Sequence, residues 1–141
     1  MGFNLKLNIG VLEVPELDSE KTSYDVAVIL EEKYGLFSVY ADQYAEVMAQ
    51  HISEDVAGSM ETFLMTGRFP AEPLPQAADA IGKDFQKFIY TREVESVGIS
   101  GVPTQAALMG VNKRLKTKKG ARRPSFIDSG ILESSLKAWF E

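Results

Sequence analysis

Residues 3–14, FNLKLNIGVLEV, alternate apolar Phe3, Leu5, Leu7 and Ile9 with polar Asn4, Lys6 and Asn8. A period of two predicts a half-buried strand. Gly10 interrupts the alternation, so Val11, Leu12 and Val14 are expected to follow a bulge. The polar stretch from Pro15 to Ser23 reads as a loop. In Tyr24–Tyr34, Val26, Ile29 and Leu30 fit a helix face while VAVIL also suits a short strand; a helix ended by Gly35 is the reading adopted. The clearest helical period runs from Asp42, expected as its cap, to about Thr66. Tyr44, Val47, Met48, Ile52, Val56, Met60, Phe63 and Leu64 recur there at three- and four-residue spacings, and Gly67 is the stop.

Three prolines between Pro70 and Pro75 predict an extended connector. A helix over about Gln76–Arg92 then presents Ala77, Ala80, Ile81, Phe85, Phe88 and Ile89 on one side. Gly98 and Gly101 loosen the chain before Pro103 and Thr104 open a further helix carrying Ala107, Leu108, Val111 and Leu115. At the C-terminus, Leu136, Ala138 and Phe140 alternate with Lys137, Trp139 and Glu141 as a strand, expected to pair with residues 3–14. The expectation is one α+β domain, 1–141, in which a small, mostly antiparallel sheet of about three to five strands includes both termini and is packed by three to four helices.

Charge is unevenly spread. Residues 1–95 carry 7 Lys and Arg against 17 Asp and Glu, a net of −10, whereas all cations of residues 96–127 fall within Lys113, Arg114, Lys116, Lys118, Lys119, Arg122 and Arg123. That stretch, 113–124, is expected to be an exposed basic loop. It could neutralise phosphates, but no aromatic lies between Tyr90 and Phe126 to stack on bases, so contact with nucleic acid would follow the backbone and weaken with salt. Docking on an acidic surface of a neighbouring subunit is the other reading.

Candidate chemistry is sparse. With no cysteine there is no thiolate metal site and no cysteine nucleophile, and His51 is the single histidine. Its near acidic neighbours are Glu54 and Asp55, which make a metal site dependent on distant ligands, so it is read as a surface or boundary residue. No G-x-S-x-G, G-x-x-x-x-G-K or G-x-G-x-x-G occurs. Asp128-Ser129-Gly130 after two apolar residues resembles the retropepsin motif, but only 11 residues follow it, too few for that fold, and a helix or turn cap is the expected role. Glu31–Glu32 and Glu54–Asp55 are expected to diverge on helices and solvate a face. Neither catalysis nor a cofactor is expected. No apolar run approaches the roughly 20 residues of a membrane span.

Taken in order, the C-terminal third is similar to the small tail-completion and neck proteins of tailed bacteriophages. The elements are a Pro-led helix from Pro103 to Leu115, the basic loop, then Pro124, Phe126, Ile127, Asp128, Ser129, Gly130, Leu132, Ser135 and Leu136. Gly10-Val11-Leu12-Glu13, Tyr34-Gly35 and Phe69-Pro70-Ala71-Glu72-Pro73-Leu74 resemble the family's start and connector, with Glu72 replacing a basic residue and an insertion at 36–68. The resemblance implies a virion protein, made in the host cytoplasm, that forms a ring of six or twelve copies at the head–tail junction. Its implied partners are its own copies, neighbouring neck, connector or tail-terminator proteins, and non-specifically the passing DNA. In that setting Trp139 and Phe140 are candidate interface residues.

Overall fold

Residues 5–11, 22–109, 125 and 135–141 are described by a computed structural model. In chain order these form strand β1 (Leu7–Val11), helices α1 (Ser23–Tyr34), α2 (Leu36–Gln43), α3 (Ala45–Thr66) and α4 (Pro75–Tyr90), a 3-10 turn (Glu93–Ser96), the short helix α5 (Gln105–Met109) and strand β2 (Leu136–Phe140). The architecture is α+β. The two strands pair antiparallel, as expected, in the register Leu7↔Phe140 to Val11↔Leu136. Five α-helices stand against the three to four expected, and two strands, among the described residues, against three to five.

Pairing runs unbroken through Gly10↔Lys137 to Val11↔Leu136, so the bulge expected at Gly10 is absent from this ladder. Leu7, Ile9 and Val11 all pack on the core while Gly10 takes an outward position in the same alternation. What Gly10 supplies is room. A β-carbon there would stand 2.8 Å from Cη2 of Trp139, whose ring lies across the glycine from its diagonal position on β2.

Local signals explain most helix ends. Thr22 and Asp25 form a reciprocal capping box at the start of α1, with Thr22 N–H donating to Asp25 Oδ2 at 2.9 Å. Gly35, left-handed at φ 63°, ends α1. The next helix begins at once because Glu31 of α1 reaches over, its Oε2 accepting from Phe37 N–H at 2.7 Å and its Oε1 from the Ser38 hydroxyl. Helix α2 is thus a separate element, and Asp42, expected to cap the long helix, sits in its last turn. The residue that precedes α3 is Tyr44, without a side-chain cap.

Helix α4 is central. Ile81, Phe85, Phe88 and Ile89 are fully buried, and Tyr40 of α2 stacks on Phe85 with centroids 4.3 Å apart. Tyr44 stacks on Tyr40 in turn at 4.9 Å. Such ring pairs add about 0.5–1.5 kcal/mol each beyond area burial. On its other side α4 lies against β2 through Gly82, where a β-carbon would be 3.4 Å from the backbone nitrogen of Ala138. Gln86 donates to the Leu136 carbonyl at 3.1 Å. Leu136, Ala138 and Phe140 point to this core, Leu136 completely buried.

Tyr40 also donates its hydroxyl to the Ile81 carbonyl at 3.2 Å. Burial, then the charges of Asp84 and Glu93, hold its phenol well above the ordinary value near 10. In the unfolded chain this phenol ionises near pH 10, whereas in the fold it stays neutral, so its contribution to stability is present below pH 10 and lost above it. Stability measured by urea unfolding should therefore fall as pH rises past 10. Tyr40→Phe should flatten that fall and cost about 0.5–1.5 kcal/mol at neutral pH, through loss of the hydrogen bond to the Ile81 carbonyl. Gly10→Val should push the single tryptophan off the sheet, and a red shift of its emission checks this.

Candidate functional site

Helices α3 and α4 run antiparallel and are joined by two polar contacts from α3. Asp55, 6% exposed, accepts from Ala77 N–H at 2.8 Å and so satisfies an orphan donor in the first turn of α4. Its expected role as a solvating partner of Glu54 is corrected: Glu54 is exposed, and Asp55 turns inward. One helical turn earlier, His51 Nε2 lies 2.8 Å from Asp84 Oδ2, with both side chains about one-third exposed. His51 is thus a boundary residue, as read from the sequence, with a partner 33 positions away that sequence neighbours could not reveal. A histidine oriented by a carboxylate can serve as a base when a nucleophile lies within about 3 Å. Among the described residues no hydroxyl bonds to His51, and the pair functions as a strut between two helices.

Ser125, fully buried, closes a second connection. Its N–H and hydroxyl both donate to Glu95 Oε1, at 3.1 and 2.9 Å, while its Oγ accepts from Thr104 N–H at 3.1 Å. Thr104 Oγ1 in turn accepts from Ala107 N–H at the start of α5. Lys113, Arg114, Lys116, Lys118, Lys119, Arg122 and Arg123 lie outside the described residues, as do Asp128, Ser129 and Gly130. The anchors on either side of the basic stretch, Thr104 and Ser125, are in direct contact.

Two surfaces remain exposed. Beside β2 runs a groove of about 530 Å³ lined by Pro73, Pro75, Lys83, Trp139 and Phe140, with Gly82 at its floor. Lys6 and Glu141 exchange both backbone bonds, at 3.0 and 2.9 Å. The alternation of an antiparallel ladder then directs the N–H and C=O groups of Leu136, Ala138 and Phe140 away from β1. Among the described residues only the Gln86 amide meets this edge. Trp139 is 41% exposed on the outer face, as a candidate interface residue needs to be, whereas Phe140 is half-buried and turned inward.

The other surface is the solvent side of α3. Of the residues whose spacing defined this helix, Met48 is buried and Tyr44 and Ile52 are half-buried, while Val47, Val56, Met60, Phe63 and Leu64 are exposed. The period announced a helix correctly but could not tell which half of its apolar positions would find a cover. Phe63 stacks on Phe69 of the connector at 4.4 Å, and both remain open to solvent.

Among the described residues no group of three or more acids and histidines could hold a metal ion, and no helix is long and apolar enough to cross a membrane. No protein-family model, curated protein or solved structure matches this chain. Asp55→Ala should cost about 1–2 kcal/mol, by urea unfolding, through loss of the α4 cap, while Glu54→Ala should lie within about 0.5 kcal/mol of the unsubstituted protein.

Proposed function

We propose that this chain is a structural, non-catalytic virion protein of a tailed phage: a neck or tail-completion subunit that forms a ring of six or twelve copies joining head and tail around the DNA conduit. The observation that carries this reading is the ordered pattern from Pro103 to Leu136, in which a Pro-led segment, a Lys/Arg stretch and an apolar-Ile-Asp-Ser-Gly motif precede the strand that begins at Leu136. Helix α5 and strand β2 occupy the two ends of that pattern. A ring subunit meets unlike surfaces of its two neighbours. The edge of β2 away from β1, which among the described residues meets only the Gln86 amide, is with Trp139 beside it a surface suited to one such contact. Other partners under this reading are the adjoining neck, connector or tail-terminator proteins.

The seven cations from Lys113 to Arg123 would face either a neighbouring subunit or the DNA passing through the ring. The same cluster supports a second reading, a free nucleic-acid-binding protein, whose duplex affinity would fall steeply with salt. Mass spectrometry of purified virions separates the two. About six or twelve copies per particle, set against the portal and tail-tube proteins, is the expected result, and a virion without the protein sinks the neck reading. Neutralising all seven cations should lower the yield of infectious particles while leaving circular dichroism and thermal unfolding of the isolated chain unchanged.

A further inference from the structure

Helix α3 has two faces at different angles. Met48, Ile52 and Asp55 turn toward α4. About a quarter-turn away, at 100° per residue, a second stripe contains Val56, Met60, Phe63 and Leu64 within about 100° of arc. These are 43%, 47%, 38% and 79% exposed. Toward the N-terminus the same stripe continues through Ala45, Ala49 and Ser53, all exposed. The uncovered face therefore tapers, with small side chains along one half of the helix and large ones along the other. Glu46 lies exposed at the small end, and Arg68 lies exposed just beyond the large end.

We infer that this face is the contact between two copies of the chain, paired antiparallel along α3 about a two-fold axis near Val56 and Ala57. Antiparallel pairing sets Leu64 opposite Ala49 of the second copy and Met60 opposite its Ser53, so large side chains enter the space left by small ones. It also brings Glu46 beside Arg68 of the second copy, twice, because the contact is isologous. A parallel pair would set large against large and Glu46 against Glu46. Glu61 and Glu54 lie about 110° and about 130° round the helix from the stripe's centre, in solvent on either arrangement.

The extent of the face is adequate. The helix is about 33 Å long. Val56, Met60, Phe63, Leu64 and the stacked Phe69 are 38–79% exposed along it, where a stable interface needs about 600 Å² from each copy, ~1,200 Å² in total. The face carries no charge between Glu46 and Arg68 along its central stripe, so a partner of opposite net charge has nothing there to recognise, whereas a second copy matches it in shape and at both ends.

This inference concerns the isolated chain and does not rest on the neck reading, whose ring would form through other surfaces because a two-fold contact closes on itself: absence from virions would sink that reading and leave the pair intact. The test is the mass of the isolated full chain by light scattering at about 100 µM, well above the micromolar Kd of a modest interface. Twice 15.6 kDa is expected. Met60→Glu with Leu64→Glu should yield monomer at the same concentration with helix content unchanged, since both side chains are exposed and need no repacking. Glu46→Arg alone should weaken association about tenfold, and adding Arg68→Glu should restore it by reversing both charges. A monomeric unsubstituted chain overturns the inference and leaves the face to a different protein. A double glutamate variant that keeps the dimer mass also overturns it, and a charge-swapped variant that stays as weak as Glu46→Arg overturns the antiparallel pairing.

Discussion

The close seat of α4 on β2 at Gly82 is the constraint from which the rest of the arrangement follows. Helices and sheets ordinarily stand about 10 Å apart, with side chains between them. Here the helix comes down on the strand, with only the space of a missing methyl group between Gly82 and the nitrogen of Ala138. This closeness lets Gln86 reach the Leu136 carbonyl and lets Leu136 enter the core completely. It also leaves the adjoining face of α4, with Phe85 and Phe88, to be covered by α2 and α3. Tyr40 and Tyr44 do this as a stack of rings rather than an aliphatic layer, and stacked rings fix the angle of approach more tightly than branched chains would.

A two-stranded sheet is marginal alone and takes its stability from what it packs against. The same logic explains the polar pairs around α4. Asp55 and Glu31 are carboxylates drawn to the donor groups at the beginnings of helices, one on α4 and one on α2. Both substitute for a cap that the sequence lacks at those positions: Leu74 precedes α4 and Gly35 precedes α2, and neither has a side-chain acceptor. The acidic character of the first 95 residues is therefore partly structural.

Much of this architecture was legible in the residues themselves. The two strands, the helices ended by Gly35 and Gly67, and the helix after the proline connector all follow from periodicity and from glycine's tolerance of positive φ. Helix α2 was not legible, because its cap is a carboxylate seven residues before Ser38 on another element. At Gly10 an interrupted hydrophobic pattern does not mean an interrupted ladder: the glycine holds its register and cedes its side-chain space to Trp139. On the candidate surfaces composition does not reveal exposure: Val56 and Met60 are indistinguishable from Met48 and Ile52 until the fold shows which angular face of α3 meets α4. The basic stretch and the Asp128-Ser129-Gly130 motif lie outside the described residues.

The pairing of β1 with β2 also bears on the order in which the molecule can form. Leu7 and Phe140 are about 130 residues apart in sequence, so the ladder is a contact of nearly the longest range this chain permits. Closing so large a loop is entropically unfavourable until the intervening helices have shortened it. The helices can assemble from local contacts as the chain emerges from the ribosome, while the sheet must wait for β2. A nascent chain thus exposes α4 without its strand until β2 has been made, and any association through the β2 edge is postponed until then.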